Sequence, residues 1–511
     1  MPLPLRLPRR RRAPPGGLPD PVGRAGRPAA RHGLRIGPGL RRLQAGLRPR
    51  RGRLPDPRRP QGVTRRKENH VTSTVTEPRR GPERNRTVAA FVITILLTSF
   101  VAATYGFGFY LFAQIVTDMR DDLGFGYTVV GTVTAAGQLG FLAFALLGTW
   151  VSTRLGGGTV TIGSAVLCGI CLVLIPMTDS IVLIGVLLTI LGGTAASVYV
   201  PLVEIVGRVV DYRHRGKVLG LISSGTSYGV FVNSLLVPSF VGSGNWRGLW
   251  YCVGLGTLAV TAVAAYAFKR YGLFYSPAEN QADNQAGEHE DAAADTTSAR
   301  AGWRMVLVRW VVIVWIIKFL NGFACMPFQN YLSPYLREGL GFDIHFAAQV
   351  WGTIAVIGMG AGFAVGWLSD RIGVRRSMLL CYAMFFTSAL LLVLAPVGYV
   401  PMVSGVLFAL AFYPIYGLVP AYVSKSASGA AATVIFGVTN VTQGLGGIVG
   451  NYTAGFLKNV TGDFMWYYAV IAAATVVLGA LVLQLPHEGS AASFVGRRAP
   501  RSVSDKETSH A

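Results

Sequence analysis

"VVIVWIIKFLNGF", residues 311–323, is an apolar run interrupted by one lysine, Lys318. A charged side chain at bilayer depth costs about 3 kcal/mol or more on insertion scales, so such a residue is read first as functional. Composition places the run in a membrane. The chain is 51% hydrophobic and only 14% charged, with a mean hydropathy of +0.44, whereas a soluble chain carries about 25% charged residues. Several stretches pass the roughly 18-residue threshold for a spanning helix.

Outward from 311–323, the same signal recurs about twelve times. The expected spans are 88–114, 127–150, 159–177, 181–206, 218–240 and 249–268, then 306–333, 347–368, 377–396, 400–423, 431–456 and 465–485. The fold class is therefore all-α integral membrane, about 12 transmembrane helices in two six-helix halves. Residues 87–270 form the first half and 305–486 the second. The linker 271–304 contains the polar, acidic stretch "SPAENQADNQAGEHEDAAADTTSARAG". Residues 487–511 form a C-terminal tail.

The net charge of +23 is local. Residues 1–86 hold 24 Lys+Arg against 5 Asp+Glu, or +19 of it. This Pro/Arg-rich tail cannot bury a core, and we expect it to be disordered. Its alphabet is unusual: before Thr64 there is no Ser, Thr, Asn, Lys, Glu, Phe, Tyr or Trp. We expect residues 1–70 to be an over-extended start, with translation beginning at Val71 on a non-ATG codon; native peptides from 1–70 would refute this. The alternative is a basic tail on anionic lipid. No aromatic residues interleave its charges, so no nucleic-acid partner is expected.

Short-loop charge sets orientation. The loops at 207–217 and 369–376 are basic, and those at 117–126 and 337–343 lean acidic. With an even number of spans, both termini and the linker are expected on the cytoplasmic side of a cell membrane.

Four spans carry Gly/Pro interruptions: "TYGFGFY" in span 1, "GGTAASVYVP" in span 4, "NGFACMP" in span 7 and "YPIYGLVP" in span 10. This period of three is what repeat-built carriers show near substrate. A second set has small residues every fourth position. It comprises Gly216/Gly220 and Gly225/Gly229 in span 5, Gly358/Gly362/Gly366 in span 8 and Gly446/Gly450 in span 11. These are read as close helix contacts.

"GWLSDRIGVRR", residues 366–376, resembles the G-x-L-x-D-R-x-G-x-R-R loop of the major facilitator superfamily through Gly366, Asp370, Arg371, Gly373, Arg375 and Arg376. The resemblance extends to the six-plus-six plan and covers roughly residues 87–486. It implies a gate in which the loop Asp pairs with neighbouring helix ends. The corresponding "GTWVSTRLGGG", 148–158, has Ser152 or Thr153 where the family has Asp. "NWRGLW", 245–250, is similar to the family's segment before span 6. Span 5 lacks the G-P-x-x-G-G pattern of the drug/proton antiporters. Residues 437–464 look like span 11 of the monocarboxylate and oxalate/formate carriers, although the Asp/Arg pair of span 8 in monocarboxylate carriers is missing.

Lys318 shares a helical face with Asn321, Cys325 and Gln329, and the resemblance puts that face against a central cavity. The only carboxylate clearly inside a span, Glu204, has Arg208 nearby. Lys318 is thus expected to meet an anionic substrate. Tyr105, Gln114, Gln138, Tyr199, Asn233, Tyr331, Tyr413, Tyr416, Asn440 and Gln443 are further cavity candidates, each of which could equally make an interhelical hydrogen bond. Glu204 and Lys318 are the coupling candidates, because a buried lysine's proton affinity responds to an arriving anion.

The first functional reading is a secondary carrier of a small organic anion, expected to be a carboxylate, working by alternating access as a monomer, with proton coupling as a symporter the coupling considered. The alternatives are proton-coupled efflux of amphipathic or cationic compounds, and a non-transporting membrane sensor or scaffold. No G-x4-G-K-S/T occurs, so ATP is not expected to drive it. No nucleophile–base–acid grouping suggests an enzyme. The seven His are scattered, and Cys168-x-x-Cys171 lacks further ligands, so no metal or other cofactor is expected.

Overall fold

A computed structural model of the chain describes residues 83–210, 214–274, 308–427 and 429–487. The basic N-terminal tail, nearly all of the linker and the C-terminal tail after His487 lie outside the described residues.

The described residues form twelve helical rods, without a strand among them. Rod α1 runs Glu83–Val101, continues as a π-helix Ala102–Tyr110, and ends as Leu111–Leu123. Then come α2 Tyr127–Leu155, α3 Gly157–Leu174, α4 Ile181–Tyr199 with Leu202–Val209, α5 Arg215–Ser223 with Gly225–Val241, and α6 Trp246–Arg270. The second half holds α7 Arg309–Pro334 extended by a π-turn Tyr335–Gly339, α8 Ile344–Ile372, α9 Val374–Leu394, α10 Val400–Ser426, α11 Gly429–Thr461 and α12 Met465–Leu483. Ten of the rods are long and apolar enough to cross a bilayer. Of the other two, α5 is divided at Ser224 into helices of 9 and 17 residues, and α11 is rich in Gly, Thr and Asn.

Both halves turn alike. Gly156 (φ 81°) closes α2 and opens α3, and Gly373 (φ 92°) does the same between α8 and α9. Their N–H groups cap the carbonyls of Ser152 and Ser369, each at 2.9 Å. Positive φ is accessible to Gly at little cost, which is why a one-residue turn can sit there. At the other end of the bundle, Ser180, Asn245 and Asp343 are side-chain N-caps for α4, α6 and α8. We call the end carrying Gly156 and Gly373 the basic face and the end carrying the caps the acidic face.

The halves meet along three seams: α1 with α7, α2 with α11 and α5 with α8. At the α2–α11 seam a Cβ on Gly131 would lie 2.8 Å from the Asn451 carbonyl oxygen. Within the halves, a Cβ on Gly225 would lie 2.6 Å from the Thr98 carbonyl oxygen, and Gly106 and Gly229 bring α1 and α5 into backbone contact. Gly446 and Gly450 do likewise for α7 and α11, and Gly358 receives the Tyr413 ring. Gly220, Gly362 and Gly366 are different. A Cβ there would meet nothing within 4 Å, so their spacing does not mark a contact.

The four expected interruptions divide in two. Span 1 widens into the π-helix and span 4 breaks at Val200–Pro201, but α7 and α10 run on through their prolines. The cause is outside the helices. Pro327 has no N–H for the Phe323 carbonyl, and the Tyr467 hydroxyl of α12 donates to that carbonyl at 2.8 Å instead. Pro414 similarly frees the Leu410 carbonyl, which takes the Cys381 thiol at 3.9 Å. Tyr467→Phe should therefore cost about 1 kcal/mol and lower the unfolding midpoint in detergent, with no change in helix content by circular dichroism. An unchanged midpoint would mean that the kink-side carbonyl finds another donor.

Candidate functional site

Lys318 is the tenth residue of α7, about 14 Å along it at 1.5 Å per residue. It is 2% exposed, and its Nζ stands 5.0 Å from the centre of the Tyr416 ring of α10. That is cation–π distance, worth about 2 kcal/mol when desolvated. Among the described residues no carboxylate makes an ion pair with it.

The stripe that follows Lys318 is buried. The Cys325 thiol donates to Asn321 Oδ1 at 3.5 Å, and Gln329 Nε2 donates to the Cys325 carbonyl at 3.2 Å. Four buried polar atoms around this point have no partner: Asn321 Nδ2, the Tyr416 hydroxyl, Gln443 Oε1 and Gln138 Oε1. They belong to one neighbourhood. Gly322, one turn beyond Lys318, abuts the Gln443 backbone, and a Cβ on Gly447 would lie 3.1 Å from Gln138 Cγ. Leaving such atoms unsatisfied costs about 1–3 kcal/mol each, a cost that a polar guest would relieve.

From the first half, Tyr105 and Tyr110 of the π-helix approach Tyr416. Tyr105 stands edge-on to Tyr199 and to Phe141, each at 6.2 Å. The other residues singled out in the sequence sit elsewhere or have partners. Tyr199 is 43% exposed with its hydroxyl 2.6 Å from Ser223 Oγ. Asn233 Nδ2 donates at 2.7 Å to the Gly106 carbonyl inside the π-helix, so it holds that distortion. Tyr331 donates to the Asn451 carbonyl, and Gln114 is buried with both amide atoms unpaired, higher in α1. Asn440 is exposed, one turn from Gln443 toward the basic face. Glu204 is 2.9 Å from Arg208, as its position suggests, at the basic end of α4.

At the basic face the loop motif makes contacts only within its own half, among the described residues. Asp370 is largely exposed and lies 3.8 Å from Lys425 of α10. The Arg371 guanidinium stacks on Trp367 at 3.6 Å, and Arg375 caps the α12 carbonyls of Val482 and Leu483. Arg376 is exposed. In the first half Arg154 stacks on Trp150 at 4.3 Å in the matching arrangement, but no loop carboxylate exists there.

The acidic face is closed by residues that sequence reasoning left in loops. Rod α1 continues helically to Leu123, and α7 to Gly339. There Arg337 grips Asp118 with both terminal nitrogens, one at 2.9 Å. Arg120 lies 3.0 Å from Glu338, which also accepts the Tyr127 hydroxyl. In the two pairs that cross the seam each rod supplies one charge of each sign, and Arg120 also pairs with Asp121 of its own rod at 2.8 Å. The available signal was the alternation of charges at equivalent ends of spans 1 and 7, in "DMRDD" and "LREG". Their pairing is nonlocal and was not readable.

A carrier is what these parts make: two six-helix halves, a seal between them at one face, and unpaired polar groups midway. A sequence model of the Major Facilitator Superfamily matches residues 98–451, and the chain belongs to that family. It is 24% identical to the probable sulfoacetate transporter SauU of Cupriavidus necator over 71% of this chain and 86% of that one. It is also 24% identical to the cis,cis-muconate transport protein of Acinetobacter baylyi, over 68% and 84%, and 22% identical to the gallate transporter of Pseudomonas putida, over 59% and 70%. Among solved structures, the D-xylose–proton symporter superposes with a TM-score of 0.61 at 14% identity, covering 78% of this chain and 99% of that one. The nucleoside transporter NupG gives 0.61 at 15%, covering 77% and 98%.

Proposed function

We propose that the chain is a secondary carrier of a small organic anion, with the Nζ of Lys318 as the anion's partner. The single observation that carries this is a buried lysine with no carboxylate beside it among the described residues, amid unpaired polar atoms of α2, α7, α10 and α11. An anion there would be stabilised by the ammonium and by Asn321 Nδ2 and the Tyr416 hydroxyl as donors. Relatives named for sulfoacetate, cis,cis-muconate and gallate support the same charge class.

Alternating access follows from the seal at the acidic face, which must open for the site to reach that side, while the Asp370 loop would close the basic face. Both termini lie on the cytoplasmic side in this reading, in a cell membrane, and the monomer suffices. Coupling falls to Lys318, since Glu204 is engaged by Arg208; a proton taken up with the anion makes the carrier a symporter.

The test is thermal stabilisation of purified protein by panels of organic anions and organic cations. Carboxylates should raise the melting temperature of the wild type and leave Lys318→Gln unchanged. Stabilisation by cations, or equal stabilisation of both proteins by the anions, would sink the reading.

A further inference from the structure

The seam between α1 and α7 is built as a ladder. Tyr110, Gln114 and Asp118 follow at four-residue steps on one face of α1, as Gln329, Ser333 and Arg337 do on α7. The columns meet in register, each facing pair 219 positions apart in the chain. Tyr110 approaches Gln329, the Ser333 hydroxyl donates to the Gln114 backbone carbonyl at 2.9 Å, and Arg337 grips Asp118. The inner rung lies by Tyr416 and the outer rung at the acidic face.

The middle rung is half made. Ser333 reaches only the backbone of Gln114. The Gln114 side chain is 2% exposed, and its Nε2 and Oε1 are both without a partner. An amide carries two donors and an acceptor. Burying such a group unpaired is unfavourable, whereas water satisfies it once the seam parts. The cost therefore falls on the closed seam alone, where it opposes the Arg337–Asp118 pair one turn further out.

From this we infer that Gln114 sets the poise of the acidic face: its unpaired amide biases the closed seam toward opening, against the pull of the outer rung. Gln114 is then a positioning residue for the conformational step. A seam of three satisfied rungs would hold the carrier in one state, whereas a seam near balance is moved by a small difference in affinity between states. The inference rests on the alternating-access part of the reading above and not on what Lys318 binds. It gives the two members of the middle rung opposite signs, although both are buried and polar. Ser333 holds the seam and Gln114 loosens it.

The experiment follows labelling of Thr117→Cys by an impermeant thiol reagent in purified full-length protein. Thr117 is buried beside the seam, and Cys252→Ser removes the exposed native thiol. No anion is added, so a contact with substrate plays no part. Gln114→Leu replaces the amide by an apolar group of similar size. It should slow labelling about tenfold and raise the melting temperature; tenfold is about 1.4 kcal/mol, within the cost of an unsatisfied buried group. Gln114→Met, with a more adaptable side chain, should act in the same direction and guards against a misfit of the branched one. Ser333→Ala should speed labelling about fivefold, as expected for one ordinary hydrogen bond. Labelling at the parent rate or faster in both Gln114 variants, with Ser333→Ala still responding, would overturn the inference and leave alternating access standing. No change in any variant, Arg337→Ala included, would mean that the seam does not part, and would remove alternating access and this inference together.

Discussion

Lys318→Gln should reduce uptake of the transported anion into proteoliposomes by about a hundredfold or more. The glutamine fits the space and keeps a donor, so the loss isolates the charge. An ion pair broken in a buried setting costs about 3–5 kcal/mol, and tenfold is about 1.4 kcal/mol. Part of that cost returns, since the empty variant no longer buries an unpaired ammonium and should be at least as stable as the wild type. Lower transport with equal or higher melting temperature is the expected pair of results. Transport within tenfold of wild type would show that the anion binds elsewhere.

Arg337→Ala should open the acidic face. The guanidinium holds Asp118 by two hydrogen bonds across the α1–α7 seam, and both side chains are about one-fifth exposed. Discounting a fully buried pair for that exposure leaves about 2 kcal/mol, a shift of roughly 30-fold in the balance between closed and open seals. A cysteine at Thr117, which is buried beside the seam, reports on it in a Cys252→Ser background that removes the exposed native thiol. An impermeant thiol reagent should label Thr117→Cys faster once Arg337 is lost. The double exchange Asp118→Arg with Arg337→Asp should restore protection. Equal labelling in all three proteins would mean that Arg120, Glu338 and Tyr127 hold the face without this pair.

Ten of the rods were readable because each is a long apolar run ended by charge, Gly or Pro, and a bilayer punishes any other reading. The place of Lys318 on a face with Asn321, Cys325 and Gln329 was readable too, since helical period alone sets it. What escaped was every feature made by residues distant in the chain. The charges after residue 117 looked like a loop because their partners lie in α7, 219 positions away for Asp118 and Arg337. The continuity of α7 through Pro327 depends on Tyr467 of α12, which no local pattern announces. The π-helix 102–110 was visible only as a glycine-rich interruption, since its stabilising tie comes from Asn233.

The seal has an electrical consequence. The two pairs that cross the seam join Asp118 and Arg120 on one rod to Arg337 and Glu338 on the other, so within these pairs each half contributes a balanced couple. Parting them separates dipoles and displaces no net charge through the field. A membrane voltage, worth about 2.3 kcal/mol per elementary charge per 100 mV, therefore does no work on this lock in either direction. Salt does, by screening the couples once water enters. The current that such a carrier draws is set by what it carries and by Lys318, while the latch itself is electrically silent.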